Sequence, residues 1–209
     1  MEIDLWTYER EQWNNGRTTL CGVDEAGAGP LAGPVYAAAV VLPRDASIPG
    51  LDDSKKLTAK RREALYDEII AKALAWAVAA VGPEEIDEID ILNARMLAME
   101  RAIGRLDPAA DYALIDGNRD HGSRVAITIP HETVVKGDSR SVSVAAASVL
   151  AKVSRDRYME EMAAQYPQYR FEKHKGYGTK LHYQMLDTYG PSPIHRRSFL
   201  AKWEAKRLG

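Results

Sequence analysis

Apolar residues along the chain fall into two patterns. Short runs bounded by glycine, proline or charge predict strands at 19–23, 35–42, 73–81 and 112–115. Two further extended pieces, 125–129 and 132–135, flank Pro130. The 35–42 run is apolar and mostly small, so it reads as buried; the alanines of 73–81 also suit a helix. Apolar residues at helical spacing predict the remaining elements. A short helix lies within 2–14 and stops at Asn14-Asn15-Gly16. Thr58 is a good N-cap for a helix in which Leu65, Ile69 and Ile70 alternate with Arg61, Arg62, Glu63 and Asp67. Two consecutive helices follow at 83–89 and 90–106, the second burying Ile91, Leu92, Met96, Met99 and Ile103. A long helix is predicted over 142–162, capped by Ser139 or Ser141, with Ala145, Ala146, Ala147 and Ala151 allowing close approach. A Tyr- and Lys-rich loop at 166–178 precedes helices at 180–188 and 196–207, which Gly190-Pro191-Ser192-Pro193 separates.

The first two strands are joined by a short Gly-Pro connection and pair as a hairpin. Strands then alternate with helices. That order predicts an α/β fold with a mixed central sheet flanked by helices, in a single domain.

Chemistry concentrates where predicted strands stop. Residues 21–35 read CGVDEAGAGPLAGPV. Neighbouring side chains within a strand point to opposite faces, so Asp24 and Glu25 share one site only where the backbone turns. Gly27, Gly29, Gly33 and two Gly-Pro steps are expected to supply that turn. Asp116 ends another strand, and Asp138 follows an extended piece directly before the long helix. Each aspartate alone is more often a turn residue or helix cap. Together, at the ends of neighbouring strands, they can converge. Four crowded carboxylates repel unless cations sit among them, and hard oxygen donors favour Mg2+ or Mn2+. Two such ions about 3.5–4 Å apart can clamp a phosphodiester and activate water. Zinc-type HxxxH or HExxH spacing and the GxxxxGK[ST] phosphate loop are both absent.

Composition sharpens the partner more than the class. Hydrophobic residues are 45% and charged residues 28%, as in ordinary globular proteins, and net charge is -2. Residues 170–209 hold nine bases and three acids, a net of +6 that leaves -8 elsewhere. A basic end on an acidic body suits a polyanion held near an acidic metal site. Cys21 is the only cysteine, which excludes an internal disulfide. The longest apolar run is far short of the roughly 20 residues of a membrane helix, and the acidic start is no signal peptide. A cytoplasmic protein with no membrane partner is expected.

Six blocks carry a family resemblance: DEAGAGPLAGPV, DDSKKLT, LIDGN, KGDSRSVSVAAASVLAKVSRDRY, HKGYGT and GPSPIHRRSF. In this order they resemble bacterial ribonuclease HII, the type 2 ribonuclease H, over about residues 17–200. The resemblance implies a ribonuclease H-like fold, with a core over about 17–165 and a basic, helical C-terminal extension over about 166–209. It implies cleavage of the RNA strand of RNA–DNA hybrids. It also implies incision 5′ of single ribonucleotides in duplex DNA, leaving 3′-hydroxyl and 5′-phosphate ends. By motif, Asp24, Glu25, Asp116 and Asp138 match the metal-binding acids, and Tyr177 matches a tyrosine that packs on the sugar following the ribonucleotide. Lys55 and Lys56 are phosphate contacts on the same footing. The Gly27–Gly29 backbone is the candidate for reading the 2′-hydroxyl. Lys173, Lys175, Arg196 and the three histidines His174, His182 and His195 are ambiguous between phosphate contact and packing. Asp156 reads as structural, paired with an arginine. A monomer is expected. The chain departs from the family at Ala28, where DEAGRGP is usual. A hybrid-binding protein of the same fold with activity weakened by Ala28 is the competing expectation. Ribonuclease HIII, which carries an extra N-terminal domain, ranks below both.

Overall fold

The computed structural model describes residues 4–44, 46–51, 57–118 and 122–208. A five-stranded sheet runs in the order β3-β2-β1-β4-β5. Its strands are β1 (Leu20–Ala26), β2 (Val35–Val41), β3 (Ala75–Val81), β4 (Tyr112–Asp116) and β5 (His131–Val134). The first three are mutually antiparallel; β4 and β5 add in parallel to β1. This is the mixed sheet the sequence predicts.

Strand alternation sorts the core into two layers. Ala37, Ala39, Val41 and Val23 face α4 (Ile91–Ile103), which follows α3 (Pro83–Ile89). Ala38 and Val40 face α5 (Val142–Gln165), with α2 (Ala59–Lys72) supplying Leu65 and Ile69. The alanines of α5 let it sit close to the sheet. The tightest point is Gly22, where a Cβ would lie 2.0 Å from the Ser143 carbonyl carbon. Ser141 caps α5, accepting from the Val144 N–H. Beneath that cap, Glu9 of α1 (Thr7–Asn14) is buried and accepts from both Ser141 and Ser143. After α5, Phe171 of the short α6 (Phe171–His174) packs with Tyr169 and Ile194 against Ala32 and Met159, while α7 (Lys180–Tyr189) and α8 (Arg197–Leu208) pack on Leu31 through Leu186 and Leu200. No helix among the described residues is long and apolar enough to cross a membrane.

Three expectations change. β1 continues to Ala26, three residues past the predicted end, because it stays paired to β2 as far as Ala26↔Tyr36. Residues 125–129 form no strand; the Val125 N–H donates to Ser123 and the Thr128 N–H to Glu100, and just before them the Arg124 N–H donates to Asn93. Leu92 is exposed, because α4 buries the stripe through Ala94, Ala98 and Ala102 together with Met96, Met99 and Ile103.

Candidate metal centre and adjoining groove

Gly22, Asp24 and Ala26 alternate onto the α5 face of β1. The parallel register Val23↔Ile115 makes Asp24 and Asp116 the next residues along each strand. Asp138 arrives from the third side, in the 3-10 turn Gly137–Ser139 that leads into α5. That turn is tied to β4 by the Gly137 N–H, which donates to Asp116 Oδ1 at 2.7 Å. One ligand oxygen from each of Asp24, Asp116 and Asp138 lies within 4.8 Å of the others.

The electrostatics of this trio are unfavourable without a counter-charge. Asp24 and Asp138 are each about 5% exposed. Burial pushes the Asp24 carboxyl well above its ordinary range, helped by the charges of Glu25, Asp116 and Asp138 and opposed by the Glu25 N–H. That N–H donates to Asp24 Oδ1 at 2.7 Å. Three convergent carboxylates with no nitrogen or sulfur donor fit a hard divalent cation.

Glu25 behaves differently from its neighbour. Because β1 does not turn, its side chain lies on the α4 face, where Arg95 meets it at 2.7 Å. The structure therefore gathers three of the four acids and sets the fourth beside them on a guanidinium.

A groove of about 220 Å3 runs from Asp24 past Gly27–Gly29 to Tyr177, with Ser148 and Lys152 on its α5 wall. A larger hollow of about 640 Å3 between Trp6, Ile48 and Val142 lies apart from the acids. Tyr177 is 45% exposed and stands over the loop; a Cβ on Gly29 would be 3.9 Å from its ring. Gly27 has φ +94 and leaves the space that the Arg155 side chain fills.

Two buried arginines hold the loop from behind. Arg155 on α5 donates to the carbonyls of Ala32, Pro34 and Lys175 at 3.0–3.1 Å. Arg196 donates to those of Gly27, Ala28 and Gly33 at 2.6–2.9 Å. Among the described residues neither forms an ion pair. Burial, and then Arg155 nearby, pulls Arg196 down to about 9, so it stays charged at neutral pH.

The three histidines pack rather than face the groove. Each is buried. The His182 Nδ1–H must donate to the Tyr177 carbonyl at 3.0 Å, so its Nε2 accepts from the His195 Nε2–H at 2.9 Å. His195 Nδ1 in turn accepts from the Ser192 N–H at 2.9 Å. All of these bonds need neutral rings. Burial, with neighbouring rings, pulls His182 down to about 4 and His195 to about 3. Lys175 pairs with Glu160, Lys173 is exposed, and Asp156 pairs with Lys152 and, at 3.8 Å, with Arg62. Lys55 and Lys56 lie outside the described residues. Sequence reasoning missed Arg95, Lys152 and Arg155. A signal existed for Arg155, which falls on the α5 stripe through Ala151 and Met159, both buried.

Comparison with known proteins adds a family. Residues 21–202 match the family described as Ribonuclease HII. A protein named Ribonuclease HII from Endomicrobium trichonymphae is 52% identical over 200 residues, covering 95% of this chain and 93% of its own length. One of the same name from Caldicellulosiruptor bescii is 53% identical over 192 residues, covering 92% and 91%. The crystal structure of the ribonuclease H2 from Pyrococcus horikoshii OT3 superposes with a TM-score of 0.73 at 28% identity, covering 90% of this chain and 98% of that one.

Proposed function

The chain belongs to the ribonuclease HII family of endoribonucleases, and from that membership we propose its substrates, its products and the residues that act on them. It hydrolyses the RNA strand of RNA–DNA hybrids and incises duplex DNA 5′ of a single embedded ribonucleotide. The products carry 3′-hydroxyl and 5′-phosphate ends.

The observation that carries this reading is the meeting of Asp24, Asp116 and Asp138, from three separated parts of the chain, at one end of an open groove. Magnesium or manganese ions, two on this reading, supply charge neutralisation for the phosphate and a water of lowered pKa. The three aspartates hold them. Glu25 is the fourth acid, and the reading requires it to share or exchange its contact with Arg95. Gly27–Gly29 offers backbone groups to the 2′-hydroxyl, the group that separates RNA from DNA at a single position. Tyr177 lays a flat ring against the next sugar, which suits deoxyribose and resists an added hydroxyl. Lys55 and Lys56 contact phosphates. The basic segment 166–209 grips the flanking duplex, and α7–α8 support this with a hollow between Tyr183, Trp203 and Lys202. The protein acts as a monomer in the cytoplasm.

The test is cleavage of a duplex with one ribonucleotide beside an all-DNA duplex of the same sequence, with magnesium, with manganese and with chelator. Metal-dependent cutting at the ribonucleotide alone is expected. Ribonucleotide-specific binding with no cutting in either metal would overturn the reading in favour of a binding protein.

A further inference from the structure

We infer that Arg196 is a positioning residue for ribose selection, acting by turning two peptide groups of the glycine loop so that their N–H bonds point into the groove. The inference deepens the proposed function and rests on it.

In a trans peptide the C=O and N–H point in opposite directions. Arg196 Nη2 binds the Gly27 carbonyl at 2.6 Å, and Nη1 binds the Ala28 carbonyl at 2.8 Å. One planar fork thus draws two successive carbonyls into the interior. The same two peptides carry the N–H groups of Ala28 and Gly29, which are thereby aimed outward. Neither N–H has a hydrogen-bond acceptor among the described residues. Ala28 and Gly29 line the groove between Asp24 and Tyr177. Two adjacent, unused donors converge on a single oxygen.

Arg196 is built for this task and not for general packing. It is 0% exposed, and its Nε is fixed on the Gly33 carbonyl at 2.9 Å, so the fork cannot swing. Among the described residues no carboxylate forms an ion pair with it, Asp87 acting only through its charge, and the guanidinium adds to the donors' pull on a partly negative oxygen. The backbone of the segment is locked as well: the Arg196 N–H donates to the Leu31 carbonyl at 2.9 Å, and the Gly33 N–H to that of Ile194 at 2.8 Å. Lysine cannot replace the fork, because a single ammonium on a flexible stem does not orient two carbonyls at once. The family's arginine is missing at 28, so in this chain Arg196 is the guanidinium bonded to the Gly27–Ala28 peptides.

A ribose hydroxyl and a phosphate oxygen offer the same acceptor chemistry, and the experiment separates them. Backbone amide signals of the wild-type chain are followed in chelator while a duplex with one ribonucleotide, or its all-DNA counterpart, is added. Ala28 and Gly29 signals that move only with the ribonucleotide duplex are expected. Equal movement with both duplexes points to phosphate and overturns the ribose assignment; no movement with either overturns the inference. Arg196→Lys is expected to lose the amide response and to lower kcat/KM on the ribonucleotide duplex by about tenfold or more. A merely structural arginine would lower the melting temperature and leave the amide response of the folded protein intact, as would overturn the positioning role. The wild-type arm stands alone if the variant does not fold. Wild type that cuts neither a hybrid nor the ribonucleotide duplex with magnesium or manganese strikes the proposed function itself and takes this inference with it.

Discussion

The two ends of the groove solve opposite electrostatic problems. At one end Asp24, Asp116 and Asp138 bring negative charge together, and burial drives Asp24 toward its protonated form. At the other end Arg155 and Arg196 are buried with no ion pair among the described residues, yet each donates to three backbone carbonyls. The acid end is incomplete by itself and waits for cations. The arginine end is complete, its charges spread over the peptide dipoles of the loop it shapes. The contrast teaches that a site's own strain marks its ligand: the protein leaves unsatisfied the groups that a metal or substrate is to satisfy.

The sharpest way to break the contrast is at the acids. Asp138→Asn removes a ligand charge at nearly constant volume and is expected to cut cleavage roughly a hundredfold or more at saturating magnesium, with the folded circular dichroism spectrum kept. Near-wild-type rates would remove Asp138 from the ligand set. Asp24→Asn in chelator is expected to raise the melting temperature. Its folded pKa lies above the unfolded value, so the native state loses stability as pH rises through the folded pKa, and the gain from asparagine grows in the same direction.

The arginine end should respond in stability first. Arg155→Met leaves three buried carbonyls without a donor and is expected to cost about 3–5 kcal/mol in urea unfolding, with metal affinity little changed. A loss under 1 kcal/mol would mean that water replaces the guanidinium.

Behind that end, the histidine chain predicts a separate pH dependence. His182 and His195 fold with pKa values of about 4 and about 3, below the ordinary 6.5. Their contribution is full above about 6.5 and fades as pH falls toward those values, a loss on the order of 3 kcal/mol for each ring by pH 4. Replacing His195 with glutamine should flatten that part of the profile.

The smallest effect is expected from Ala28→Arg. The side chain at 28 is not what holds the loop, so a change in kcat/KM of about tenfold or less is expected on a single-ribonucleotide duplex. A far larger gain would show that the loop lacks a contact Arg196 does not replace.

Much of this was legible in the chain. The two apolar patterns predicted the hairpin, the mixed sheet and the long helix, because strand and helix periods are local properties. The carboxylates at strand ends were legible for the same reason. What was not legible depends on partners distant in sequence. Glu25 was expected beside Asp24, but β1 pairs on to Ala26 and alternation carries Glu25 to Arg95. The 125–129 run looked extended, yet its Val125 and Thr128 N–H groups go to the side chains of Ser123 and Glu100, which no periodicity signals. Arg155 falls on the stripe of Ala151 and Met159, which signals a buried position, but only the folded loop supplies the carbonyls it binds there.

Gly22 has a bearing on engineering. The hydrogen at that position sets the distance between β1 and the start of α5, and so between the strand that carries Asp24 and the turn that carries Asp138. Filling small residues is a common route to thermostability. Here one added methyl would press on the Ser143 and Val144 backbone, pry the helix off the strand and widen the gap between ligands, so residue 22 has to stay glycine in any such library.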